Sequence, residues 1–338
     1  MCKVFSLLVA SCFWQFVDNL LRNVYILDII CTHTSRLEWK KMEKTTKRRR
    51  GDRRDAALVR DLDSMHVFMP IMMPSRADNE AFIQELVDLS AVEAYLEKKN
   101  AQNPEYKYTF FHVILTALAR TIEMRPRMNR FIIGNRYYDR NHITFSFIVK
   151  KAFSDHADES VMILKYDPTS EKAAIDMIHD KICDFVYSVR TSNKKDGTTD
   201  ILDTLAKAPM WLRKIIVALL RSLDEHGNMP QDLANEDPYN STVFISNLGS
   251  IKLNAGYHHL SNWSTNSVFV VVGEKHMQPF YDADGTVTVK PALNLGLTLD
   301  ERIADGYYYS KTVRLLKKFL AEPELLDIPS KEELTIEY

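Results

Sequence analysis

The sequence predicts one α/β domain built on a mixed sheet. Three observations lead there. Runs rich in β-branched and aromatic residues, HITFSFIV in the middle of the chain and STVFISN, SVFVVV and TVTVK in its last third, are separated by helix-like segments. No repeat period organises them, which argues against a solenoid. The composition, 46% hydrophobic and 26% charged over 338 residues, supplies a sizeable core.

Taken in chain order, DNEAFIQELVDLSAVEAYLEKKN from Asp78 shows helical spacing of apolar residues, with Asp78 as N-cap, and predicts a surface helix. TFFHVILTALARTIEMRP is apolar around most of its circumference and stops before Pro126, which predicts a buried helix with His112 as a core histidine. RFIIGNRYY and HITFSFIVKKAF, parted by Asp139–Asn141, predict a hairpin. VMILKYD reads as a strand and SEKAAIDMIHDKICDFVYSVRTS as an amphipathic helix ending in the polar loop Ser192–Asp200. Met210–Leu223 is a very apolar helix, too short to span a bilayer at ~1.5 Å per residue, and is expected to pack on the body or on a neighbouring subunit. Three further strands, STVFISNLG, SVFVVVGEK and TVTVKPALNLGLTLD, precede a final helix, YYYSKTVRLLKKFLAEP.

Charge and cysteine placement bound the setting. Lys40 to Arg60 carries ten Lys/Arg against three Asp/Glu; that +7, set against −1 for the whole chain, leaves −8 elsewhere, an acidic body with a short basic arm. The run KRRRGDRR has no interleaved aromatic residues to stack bases, so residues 42–57 are expected to be a solvated arm and no nucleic acid is expected as a partner. Three of four cysteines lie in the first thirty-one residues; Cys183 is alone in the body, which fits a reducing cytoplasm. Residues 1–41 are apolar but interrupted by Asp18, Arg22 and Asp28, so they read as a signal or anchor segment, or as sequence upstream of a start at Met42. No membrane is expected for the body. Ten glycines form neither GxGxxG nor GxxxxGKS, and CxxC and HExxH are absent, so neither a nucleotide site nor a metal is expected.

The last hundred residues run FISNLG (Phe244–Gly249), SVFVVVGEKHMQP, a strand pair and LTLDERIADGYYYSKTVRLLKKFL. This order resembles the catalytic domain of the dihydrolipoamide acyltransferases of 2-oxo acid dehydrogenase complexes, and their relative chloramphenicol acetyltransferase. The upstream TFFHVILTALARTIEMRPRMNRFIIGNRYYDRNHITFSFIV resembles that superfamily's buried helix and first hairpin, so the resemblance covers roughly Leu58 to Pro323. It implies a two-layer, chloramphenicol acetyltransferase-like sandwich over 58–325, with 326–338 as a tail. It further implies a homotrimer with its site between subunits, acyl-CoA as co-substrate, and a hydrogen-bond donor at Ser246, within the motif that includes Asn247 and Gly249. A free small-molecule acceptor is preferred over a lipoyl domain supplied in trans.

The family motif, DHRxxDG, is matched here by Asp300, Arg302, Asp305 and Gly306, with Glu301 where the histidine belongs. Acyl transfer needs a base for the acceptor's proton; imidazole at a pKa of ~6.5 suits cytosolic pH, whereas a carboxylate at ~4.3 faces a thiol at ~8.5. Three readings of Glu301 therefore stand: a replacement base, an idle residue in a silent trimeric scaffold, or a bystander to a base supplied by His258 or His259. Asp305 is expected to cap the final helix or to pair with an arginine, and Gly306 to permit the strand-to-helix junction. Tyr307, Tyr308 and Tyr309 either line a pocket or pack between subunits.

Overall fold

The computed structural model describes residues 48–150, 159–191 and 206–337. Residues 1–41, the start of the basic arm, the loop Ser192–Asp200 and Tyr338 lie outside the described residues.

The strands are β1 Ala56–Leu58, β2 Glu80–Asp88, β3 Arg130–Ile133, β4 Arg136–Arg140, β5 Thr144–Lys150, β6 Glu159–Lys165, β7 Val243–Asn247, β8 Val268–Val272, β9 His276–Tyr281 and β10 Val287–Asp300. The helices are α1 Ser64–Met72, α2 Ser90–Asn100, α3 Phe110–Met124, α4 Ala174–Thr191, α5 Met210–Glu225, α6 Gln231–Glu236 and α7 Gly306–Ala321. The main sheet runs β2-β10-β8-β7-β5-β6, with β9 on the extension of β10, and a small sheet runs β1-β4-β3. β5, β7 and β8 are mutually parallel while the remaining pairs are antiparallel, which is the mixed sheet the sequence predicts.

Strand alternation divides the two faces. Val243, Val268, Val270, Leu297 and Leu299 meet Leu118 and Ile122 of α3 and Val313 and Leu316 of α7, so the helical layer covers that face. Phe244, Phe269 and Val271 point the other way and are covered by a strap from the segment after β7, with Leu260 buried and Ala255 and Leu248 packed beside it. Glycines let this strap lie flat. A Cβ at Gly273 would sit 2.5 Å from the Ala255 amide nitrogen, and one at Gly296 would sit 2.0 Å from the Gly256 carbonyl oxygen.

Four expectations are corrected. Glu80–Asp88 is a strand, not the first half of a helix: all nine residues pair with β10, and only Ser90–Asn100 is helical, so sheet pairing overrides the local helical spacing and Asp78 caps nothing. The hairpin turns at Gly134-Asn135, both at positive φ, within RFIIGNRYY itself; β3 and β4 pair with each other, and β5 joins the main sheet instead. The basic run is not a wholly solvated arm: Arg53 is 3% exposed and pairs with Asp55 and Asp224, both at 2.9 Å, while β1 pairs with β4. The C-terminal segment is tied down by Arg120, which donates to the carbonyls of Ser330 (3.0 Å) and Glu332 (3.2 Å).

Candidate active site

The motif DERIADG begins at the last residue of β10. Asp300 is fully buried and accepts two hydrogen bonds from the Arg302 guanidinium, each 2.7 Å long, in a bidentate pair. Arg302, 1% exposed, also donates to the Met73 carbonyl at 2.7 Å, and Arg76 stands 3.6 Å from the same carboxylate. Arg76 in turn donates to the carbonyls of Ser261, Ser264 and Ile132, which ties the strap to the motif. Burial pushes Arg76 down to about 10, still far above neutral pH, so the cluster carries two cations around one carboxylate.

Glu301 is different. It is exposed, its amide donates to the Asn79 carbonyl at 3.0 Å, and its carboxylate has no hydrogen-bond or ion-pair partner among the described residues. The backbone thus fixes where the residue stands and leaves its side chain in the open.

Asp305 caps α7, accepting from the Tyr308 amide at 2.8 Å, the first of the two roles open to it from the sequence. Gly306 is not demanded by the junction: its φ is not positive and an added Cβ would touch nothing. The three tyrosines divide. The Tyr309 hydroxyl donates to the Asp300 carbonyl at 2.6 Å, Tyr308 stacks under Arg125 at 3.7 Å, and Tyr307 is exposed.

Ser246 is half-buried near the end of β7, and its hydroxyl has no hydrogen-bond partner among the described residues. Asn247 caps the following 3-10 turn, its Oδ1 accepting from the Ser250 amide at 3.3 Å. A Cβ at Gly249 would meet the Gly273 carbonyl oxygen at 2.5 Å, so the strap's first residues need glycine. His258 is half-buried, stacked flat on Phe269 at 4.1 Å, with its Nδ1 2.9 Å from the His259 carbonyl; His259 is exposed.

Register decides how these parts relate. Ser246 lies opposite Val271, and Val271 opposite Gly296, five residues before Glu301 along β10. At ~3.3 Å per residue the serine and the glutamate are separated by roughly 16 Å along the strand, with two strand spacings added across it. Their side chains cannot meet within one chain. His258 belongs to the Glu301 end, because its stacking partner Phe269 pairs with Thr298.

Residues 214–328 match the family model of the 2-oxoacid dehydrogenases acyltransferase (catalytic domain). The chain has the fold of the acyltransferase core. It is similar to a probable dihydrolipoamide acetyltransferase from Listeria monocytogenes 4b F2365, with 16% identity and a TM-score of 0.51 over 78% of this chain and 94% of that one. It is also similar to the Azotobacter vinelandii dihydrolipoamide acetyltransferase, with 15% identity and a TM-score of 0.50 over 80% and 94%. That structure addresses a serine, a histidine and an asparagine four residues after it in the enzyme's catalytic mechanism. Chloramphenicol acetyltransferase matches at 11% identity and a TM-score of 0.50, over 78% and 99%. No curated protein matches the sequence. The acyltransferase-core fold read from the sequence over roughly Leu58 to Pro323 is thereby confirmed.

Proposed function

We propose that this protein transfers an acyl group from coenzyme A to a small thiol, hydroxyl or amine acceptor, in the cytosol, at a site assembled between two subunits of a homotrimer. The observation that carries the reading is the register: Ser246 and Glu301 both present side-chain polar groups without a partner among the described residues, yet stand at opposite ends of one chain's sheet. A neighbouring copy supplies the missing half. In this reading Ser246 donates to the oxyanion of the tetrahedral intermediate, and Glu301 takes the acceptor's proton in the place of the relatives' histidine. Asp305, four residues on, occupies the asparagine's position and orients the motif by holding α7.

Two features support an interface beside the motif. The residue after α1, Met73, holds Arg302, and α1 itself exposes Met65, Phe68, Ile71 and Met72. Phe82 and Tyr257, whose ring centroids lie 5.1 Å apart at a tilt of 58°, expose a further apolar patch on β2 and the strap. Burial of this surface by a neighbour would also desolvate Glu301, which is what a carboxylate requires before it can serve as a base toward a thiol.

The test is acyl transfer and thioesterase turnover with acetyl coenzyme A and a panel of thiols, alcohols and amines, on the native protein beside Glu301→Gln and Glu301→His. Turnover that Glu301→Gln lowers by more than ~100-fold is the expected result for loss of a general base. The exposure of Glu301 within its own chain favours a second reading, a silent trimeric scaffold. Its signature is a native protein without turnover and a Glu301→His variant that gains it.

A further inference from the structure

Away from the sheet, the first turn of α3 and the middle of α4 bring together His112, His179 and Cys183, one donor atom from each lying within 4.8 Å of the others. His179 and Cys183 are four residues apart and so share one face of α4, while His112 reaches across from α3. We propose that these three side chains form a binding site for a soft, zinc-type divalent cation, holding α3 to α4 independently of the catalytic reading.

The donor set and its surroundings argue for it. His112 is 6% exposed, yet its Nε2 has no hydrogen-bond partner, an unmet polar group of the kind a ligand explains. Its Nδ1 accepts from the Thr109 amide at 3.0 Å, which leaves the ring proton on the unpartnered Nε2; a cation at Nε2 would move that proton to Nδ1, with the Thr109 hydroxyl 2.8 Å away as its acceptor. His179 is already in the ligating state: its Nε2 donates to the Tyr106 carbonyl at 2.9 Å, and stacking on Tyr108 at 3.9 Å fixes the ring. Its lone pair is thus on Nδ1, held by the outer hydrogen bond that metal-ligating histidines commonly make. Cys183 Sγ stands 3.9 Å from that Nδ1 and 3.5 Å from Nε2, so ligation would turn the sulfur toward Nδ1; Asp180 pairs with Lys172 at 2.7 Å and lies outside the three-residue cluster, so a water would complete the ligand set.

Tetrahedral zinc with bonds of about 2.0–2.3 Å sets its ligand atoms roughly 3.3–3.8 Å apart, so the cluster closes onto the ion by a side-chain adjustment of about 1 Å. Two imidazoles, a thiolate and an oxygen ligand suit zinc rather than calcium or magnesium. The two histidines and the cysteine show no CxxC or HExxH pattern because they come from helices about seventy residues apart in sequence.

The experiment is titration of the full chain, free of purification tags and reduced, with cobalt(II) and then with zinc(II). The expected result is a thiolate-to-cobalt charge-transfer band in the near ultraviolet, abolished by stoichiometric zinc. Cys183→Ser should lose the band, and His112→Gln should weaken zinc binding at least tenfold; Cys2, Cys12 and Cys31 remain in both variants and serve as the control. A second measurement needs no variant: zinc should slow alkylation of Cys183, located by peptide mass spectrometry, in the native chain. Absence of the band, its persistence in Cys183→Ser, or alkylation of Cys183 that zinc leaves unchanged would each overturn the proposal.

Discussion

Asp300 and Glu301 are adjacent in sequence and opposite in circumstance. Asp300 is wholly buried, gripped by Arg302 and approached by Arg76; the Glu301 carboxylate reaches solvent with no partner among the described residues. The contrast separates two jobs within one seven-residue motif. Asp300, Arg302 and Asp305 build the turn, the strap anchor and the helix cap, and these demands are met inside a single chain. Residue 301 is placed by its backbone alone, so its side chain can change without disturbing the fold, and its chemistry waits on whatever covers it. The motif therefore holds its shape through Asp300, Arg302 and Asp305, independently of the side chain at 301.

The contrast can be sharpened by substitution, with unfolding by urea as the common measurement. Arg302→Ala should give the largest loss, about 3–5 kcal/mol, because it strands a buried carboxylate. A loss under about 1 kcal/mol would mean that Arg76 alone satisfies Asp300. Gly296→Ala should cost about 1–3 kcal/mol by pushing the strap off the sheet, since the added carbon meets backbone rather than a yielding side chain. Retention of native stability would show that the strap floats free of β10. Asp305→Ala should cost roughly 1 kcal/mol for the lost cap of α7, with Asp305→Asn restoring most of it. Glu301→Gln should leave stability within about 0.5 kcal/mol of native; a larger loss would move Glu301 into the scaffold and erase the distinction.

What could be read in advance follows the same division. The cap at Asp305, the buried α3, and the strands β7, β8 and β10 rest on local signals: a capping side chain, apolar periodicity and β-branched runs. Glu80–Asp88 misled because its apolar spacing fits a helix, and only the long-range pairing with β10 makes it a strand. Arg53 was hidden in a basic run because its partner, Asp224, lies 171 residues away. The Gly134-Asn135 turn did carry a signal, a glycine-asparagine pair between two apolar runs, that the Asp139–Asn141 stretch obscured. For the candidate site, the sequence nominates residues but says nothing of the distances between them. That separation of Ser246 from Glu301 is a property of register, fixed only when β7, β8 and β10 are aligned.

The shared site is therefore the claim to test most directly, by mixing two variants that are each expected to be inactive, Ser246→Ala and Glu301→Gln. Co-refolded or co-expressed at equal ratio, they should form mixed trimers in which about a quarter of the sites join a native Glu301 to a native Ser246 from the next subunit, and turnover should return to about a quarter of the native value. Subunits that mix, as shown by a mass-tagged copy, without any return of activity would contradict the account and place the working groups within a single chain.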